Sequence, residues 1–130
     1  MAERPVSENE SLDRYILRKG FIRSDGRVKP DAFIPYSRVE LSVTRHLNLS
    51  ENDIWALGES VAGQTGTTLH GRADCRALTF IKHRLRVVAD PQPWNSNHAN
   101  VTDWPVDKQA QIEIAVELVK EIQYLPKPTV

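Results

Sequence analysis

Alternation of apolar and polar residues predicts three strands in the middle of the chain. In VELSVTRH the valines and the leucine fall on one side and polar residues on the other, the period of a half-buried strand. TTLHGRADCRALTFI alternates in the same way, and RLRVVAD is a third candidate. Nearer the N-terminus, YILRKGFI fits either a strand or a short helix.

Two helices are predicted from their capping residues and apolar stripes. Ser50 is the expected N-cap of the first helix, whose stripe begins at Ile54 and whose end is marked by Gly66. Asp107 is the expected N-cap of the second helix, and the pattern continues that helix as far as Leu125.

The order of these elements predicts the fold class. An extended segment, a strand, a helix, two strands, a loop and a helix follow one another along 130 residues, the size of one domain. We therefore expect a single α+β domain, in which a small, mostly antiparallel sheet packs against two helices. The domain is predicted to span residues 11–126, between a disordered N-terminal tail (1–10) and a C-terminal tail (127–130).

Composition narrows the range of partners and compartments. Seventeen basic residues balance seventeen acidic ones, which argues against nucleic acid as a partner. The one cysteine excludes an internal disulfide, and no segment approaches the roughly 20 apolar residues of a membrane span. Since the N-terminus also lacks an apolar run, we expect a cytoplasmic protein that does not enter a membrane, and nothing in the sequence predicts a cofactor.

One predicted strand carries a charged face. His70, Arg72, Asp74 and Arg76 alternate with small residues, so their side chains share one side of the strand. The guanidinium groups could bind a phosphate or carboxylate with two hydrogen bonds each, and Ser42 would extend the surface if its strand is a neighbour. The alternative is an exposed sheet face on which the charges pair with one another across strands.

A second candidate site is the segment PQPWNSNHANVTDWP, residues 91–105. It holds two tryptophans, three prolines and a histidine, and it shows neither a helical nor a strand period, so we predict an ordered loop. His98 could act there as an acid or base near neutral pH, oriented by Asp90 or Asp74.

A structural role for the same loop is the competing interpretation. In this interpretation His98 bonds a backbone carbonyl, and Asn95 and Asn97 supply side-chain-to-backbone turns. Trp94 and Trp104 would then hold the loop in place by apolar packing, or would be exposed as anchors for a partner.

The sequence does not predict a metal site. His70 and Asp74 lie on one strand face and His98 could approach them, but HxH, HExxH and CxxC patterns are all lacking. Cys75 falls among small apolar residues in mid-strand, which favours a buried thiol over a nucleophile.

Several short motifs resemble a group of small bacterial and phage-associated proteins that has no established activity. ILRKGFI, DAF, ELSVTRHLNLSENDIW, LRVVADP and NSNHANVTDWP occur in the order typical of that group, which has a Leu-Ser-Val strand and a late Pro…Asn-x-x-His-Ala loop. The resemblance implies a bacterial setting and directs attention to the strand and the loop, but it implies no catalytic role. The matching residues are Arg18, Ala32, Phe33, Leu41 to Val43, Asp90, Pro91, Asn95, His98 and Ala99.

Two functional hypotheses follow from these patterns. The first is a protein-interaction or accessory module that acts with a larger protein partner; the resemblance suggests a conflict or defence operon as its setting. The second is a small enzyme or ligand-binding domain for an anionic, nucleotide-like small molecule, so whether the chain is an enzyme stays open. The binding candidates are Arg18, Ser42, His70, Arg72, Arg76, Trp94, Asn95, Asn97 and Trp104, and the catalytic candidates are His98, Asp74 and Asp90.

Overall fold

One six-stranded sheet is the centre of the structure, a computed structural model that describes residues 4–35 and 40–129. Neighbouring strands are antiparallel throughout the sheet. The strands are β1 (Ser11–Ile16), β2 (Leu41–Arg45), β3 (Gly71–Arg76), β4 (Arg86–Ala89), β5 (His98–Thr102) and β6 (Gln123–Pro126). Their order across the sheet is β4-β5-β2-β1-β3-β6, so β4 and β6 are its edges.

Three α-helices accompany the sheet in the described part of the chain: α1 (Glu51–Thr65), α2 (Ala77–Ile81) and α3 (Lys108–Leu118). Short 3₁₀ turns lie at Lys19–Phe21 and Pro30–Phe33. The predicted class, a single α+β domain with an antiparallel sheet, is confirmed. The prediction of two helices is wrong by one, since α2 was not expected.

The two faces of the sheet are covered differently. On one face, β-strand residues such as Leu12 and Val101 pack with Phe80 of α2 and Leu118 of α3 in the main core. On the other face, α1 packs through a smaller apolar cluster around Ile54. The cross-strand register then decides which polar residues face α1, because side chains alternate between the faces. Those on the α1 face include Asp13, Ser42, Thr44, Arg72, Asp74, His98 and Asn100.

The predicted helix caps are confirmed. The hydroxyl of Ser50 accepts a hydrogen bond from the backbone N–H of Asp53 at 3.1 Å, and the Asp53 carboxylate accepts one from the N–H of Ser50. Gly66 ends α1 with a φ of +68°, a conformation that favours glycine. Asp107 caps α3 through the N–H of Ala110 at 3.0 Å.

Three predicted boundaries are wrong, each because tertiary packing overrides the local pattern. The strand predicted in TTLHGRADCRALTFI ends at Arg76, where Ala77–Ile81 turns into a helix whose apolar side enters the core. The second predicted helix ends at Leu118, and Gln123–Pro126 pairs with β3 instead. The predicted loop 91–105 contains a strand, His98–Thr102.

Residues 4–10, predicted to be a disordered tail, contact the domain. Val6 packs against the main core, and the N–H groups of Ala77 and Leu78 donate to the carbonyls of Glu10 and Glu8. The buried guanidinium of Arg45 lies 2.5 Å from the Glu10 carboxylate. Val39, which the alternation in VELSVTRH places on the same side as Leu41 and Val43, lies outside the described residues. None of the described helices is long and apolar enough to cross a membrane.

Candidate functional site

Two groups of polar residues lie on the α1 face of the sheet. One is the Trp94 loop, residues 91–97, between β4 and β5. The other is the Asp13 cluster, which we define as Asp13 of β1, Arg72 and Asp74 of β3, and His46 just after β2. Both groups contain residues that the sequence marks as candidates, and they are described in turn.

The Trp94 loop is fixed by amide side chains. Asn95, 2% exposed, donates from Nδ2 to the Thr44 hydroxyl at 2.9 Å and accepts at Oδ1 from the N–H of Asn97 at 3.0 Å. Asn97 in turn donates to the carbonyls of Arg45 and Leu47, at 2.8 and 2.9 Å. These bonds connect an irregular segment to β2, so the loop is held by the sheet as well as by bonds within its own chain.

His98 is oriented by the backbone. Its Nδ1 lies 2.9 Å from the carbonyl oxygen of Asp90, which can only accept, so Nδ1 carries the proton. The Asp90 carboxylate is engaged by the amides of Gln92 and Asn100, each at 2.9 Å. This geometry is the one expected if His98 and Asp90 stabilise the loop.

The two tryptophans have opposite environments. The predicted partner contact through Trp104 is wrong, because Trp104 is 5% exposed, packs in the main core and donates from Nε1 to the carbonyl of Val101 at 3.0 Å. Trp94 remains 37% exposed, and the Ser60 hydroxyl of α1 donates to its carbonyl at 3.4 Å. Val88, on the edge strand β4, is 39% exposed on the same side of the sheet.

A cavity of about 270 Å³ opens beside Trp94, between α1 and the sheet. The structure brings four of the predicted site residues together in its wall: Ser42, Trp94, Asn95 and His98. Most of the remaining lining is apolar or neutral, including Tyr15, Val43 and Val61. The geometry suits an apolar group better than a phosphate.

The Asp13 cluster forms where β1 and β3 meet. Asp13 and Asp74 are directly paired across the two strands, and Nε2 of His46 lies 2.8 Å from Oδ2 of Asp13. Burial raises the pKa of the Asp13 carboxyl to about 6, against the opposing effect of the His46 hydrogen bond. The Arg72 guanidinium donates to Oδ1 of Asp74 at 2.9 Å.

Arg72 is buried beneath α1, so the charged strand face is not the open surface expected for an anion. Its guanidinium lies 4.7 Å from the ring centre of Trp55 and 2.7 Å from the carboxylate of Glu51, both in α1. Arg76, four residues along the strand, is exposed. The strand therefore uses one arginine as an internal counter-charge and leaves the other in solvent.

A second cavity, of about 580 Å³, lies beside the Asp13 cluster. Its wall includes His46, Asp74, Arg76 and Cys75. Burial raises the pKa of the Cys75 thiol to about 12, so the group stays protonated near neutral pH and is a poor nucleophile. The expectation that Cys75 is not a nucleophile agrees with this environment.

The predicted joint site of His98 with the charged strand is not assembled. His98 on β5 and Arg72 on β3 are three strand spacings apart, roughly 14 Å, and His98 lines a different cavity from Asp74. His70 precedes β3, and Arg18 is exposed with its guanidinium 5.9 Å from the ring centre of Phe21. Neither lines the cavity beside Trp94 or the one beside the Asp13 cluster.

Sequence reasoning missed Asp13 altogether and included His46 only among the polar residues of VELSVTRH. The signal for Asp13 was present, because Leu12, Asp13, Tyr15 and Ile16 fit a strand with one buried carboxylate. That signal becomes specific only when the register places Asp13 opposite Asp74.

Comparison with protein-family models, with curated proteins and with solved structures finds no match for this chain.

Proposed function

We propose that this chain is a protein-interaction module that binds a larger partner through the Trp94 loop. The observation that carries the proposal is that Trp94 stands half-exposed on a loop whose neighbours, Asn95 and Asn97, are hydrogen-bonded to β2. An aromatic side chain held in one position loses little conformational entropy on binding, which is why such residues dominate interface energies.

The surroundings of Trp94 favour a partner with an apolar side chain presented on an extended segment. The cavity beside Trp94 offers a largely apolar wall, and Val88 continues the apolar surface toward the sheet edge. β4 is an edge strand, so its outer backbone groups can pair with an added strand. The partner would therefore insert a hydrophobic side chain beside Trp94 and run along β4.

The experiment compares Trp94→Ala with Val106→Ala, a change at an apolar residue that is 87% exposed and lies outside the loop. Tagged wild-type chain captures the partner from the native host, and the purified pair is measured by calorimetry. Trp94→Ala is expected to weaken binding by about 30-fold, the effect of a residue worth roughly 2 kcal/mol at an interface. Val106→Ala should leave the affinity unchanged.

Binding that survives Trp94→Ala, or that is lost equally in Val106→Ala, would contradict the proposal. Circular dichroism of both variants establishes that each retains its fold. Because Trp94 is half-exposed, its truncation is not expected to disturb the core.

A second candidate function, the binding of a small anionic molecule, is favoured by one observation. Arg76 is exposed in the wall of the cavity beside the Asp13 cluster, and it forms no side-chain hydrogen bond or ion pair with the described part of the chain. A guanidinium in that position can bind a phosphate or carboxylate. Binding of a small anion that is retained in Trp94→Ala and lost in Arg76→Ala would favour this function over the first.

A further inference from the structure

The side chains of Asp13, His46 and Asp74 converge on one point of the α1 face. Asp13 and Asp74 are cross-strand partners, and His46 follows Thr44 by two residues, which returns it to the same face. One potential ligand atom from each of the three lies within 4.8 Å of the others. Asp13 lies in β1, Asp74 in β3 and His46 directly after the end of β2, so the fold itself brings them together.

Asp13 has an unused acceptor in a dry environment. Its side chain is 0% exposed, and although Oδ2 contacts His46, Oδ1 has no hydrogen-bond partner in residues 4–35 or 40–129. A buried polar group without a partner costs about 1–3 kcal/mol, and more when it is charged. A bound cation would satisfy this oxygen.

The charge of the cluster also favours a cation. Two carboxylates, Asp13 and Asp74, face a single guanidinium, that of Arg72, and this guanidinium is shared with Glu51 of α1. The negative charge of the cluster therefore exceeds the positive charge when His46 is neutral. A divalent ion would remove that excess in a largely buried place, where charges are screened less than at an open surface.

The contacts around the trio resemble those that orient metal ligands. Arg72 donates to one oxygen of Asp74 and leaves the other available, which fixes the direction of the carboxylate. His46 and Asp74 also line the cavity of about 580 Å³, through which an ion and its water ligands can enter. The coordination positions of the ion that the protein does not fill would face that cavity, where water can occupy them.

We propose that Asp13, His46 and Asp74 bind a divalent transition-metal ion of the zinc and cobalt class. An imidazole with two carboxylates suits such an ion better than Mg²⁺ or Ca²⁺, which prefer oxygen ligands alone. Zinc ligands at roughly 2.1 Å lie about 3.4 Å from one another in a tetrahedron, so the side chains need to move by about 1 Å. This inference goes beyond the proposed interaction function and does not depend on it.

The test is a titration of untagged protein with Co²⁺, followed by visible absorption, and with Zn²⁺, followed by calorimetry. Wild-type chain is expected to bind one ion per chain, with Mg²⁺ failing to compete at millimolar concentration. His46→Gln and Asp74→Asn should each weaken binding at least tenfold, as loss of one ligand does. His70→Gln, which removes an imidazole outside the trio, should bind as the wild type does.

The proposal would be overturned if neither Co²⁺ nor Zn²⁺ bound saturably with a Kd below about 1 mM, which corresponds to a binding free energy of roughly −4 kcal/mol. Binding that is unchanged in both His46→Gln and Asp74→Asn would do the same. Asp74 is partly exposed, so its variant should fold even if Asp13→Asn does not. Trp94→Ala should bind the ion normally, which keeps a failure of the partner proposal separate from a failure of this one.

Discussion

Replacing Arg72 with alanine is expected to lower the free energy of unfolding by about 3–5 kcal/mol, the cost of removing one partner from a buried ion pair. The guanidinium is 3% exposed and lies between Asp74, Glu51 and the ring of Trp55. Its removal leaves the buried carboxylate of Asp13 next to Asp74 without the guanidinium as counter-charge, and it removes the ion pair between the start of α1 and the sheet. Urea unfolding followed by circular dichroism measures the change.

Arg76→Ala is the matched control for Arg72→Ala. Arg76 belongs to the same strand and the same face, but it is exposed and makes no described side-chain hydrogen bond or ion pair. Its substitution should alter the free energy of unfolding by less than about 0.5 kcal/mol. Equal effects of the two substitutions would show that Arg72 is not the internal counter-charge of this face.

Replacing Asn95 with alanine should cost about 2–4 kcal/mol of unfolding free energy. Both ends of the amide are used, at the Thr44 hydroxyl and at the N–H of Asn97, and the residue is buried. Each lost bond is worth about 1 kcal/mol, and the unpaired groups left behind in a dry site add to the loss. Differential scanning calorimetry of the variant gives the value.

Asn100→Ala provides the comparison for Asn95→Ala. Asn100 is half-buried on β5, and its side chain donates one described hydrogen bond, to the Asp90 carboxylate at 2.9 Å. We expect its loss to cost about 0.5–1.5 kcal/mol, the usual value for one hydrogen bond. If Asn95→Ala proved no more damaging than Asn100→Ala, Asn95 would not be the residue that fixes the loop.

Local patterns predicted the features that depend on neighbouring residues. Ser50 and Asp107 were identified as caps because a capping side chain bonds the backbone only three residues away. The β2 strand was identified because Leu41 and Val43 alternate with Ser42. Such features are determined by a few consecutive residues, so a single sequence is enough to predict them.

Features that depend on distant pairing were missed. β5 contains His98 and Asn100, residues typical of a loop, and it is a strand because β2 and β4 flank it on both sides. Gln123–Pro126 forms a strand only because β3 offers a free edge. The Asp13 cluster depends on the register between β1 and β3, which no local pattern specifies.

In the candidate site, too, the features set by neighbouring residues were predicted and those set by distant contacts were not. The sequence marked His98, Asn95 and Trp94 correctly as members of one ordered segment, but it could not assign their exposure. Trp94 and Trp104 look equivalent in the sequence, and only packing distinguishes a half-exposed side chain from one in the core. Joining His98 to Arg72 required the strand order, in which β2 and β1 separate them.

The central claim is that the Trp94 loop is held still by the sheet, and amide hydrogen exchange measures this directly. The N–H groups of Asn95, Asn97 and His98 all donate to oxygens of the loop residues Gln92 and Asn95, at 3.0 to 3.1 Å. We predict that they exchange at least about 1000-fold more slowly than in an unfolded peptide, an opening free energy of roughly 4 kcal/mol. Exchange of these three amides at the unfolded rate, while the remaining β5 amides stay protected, would contradict the account.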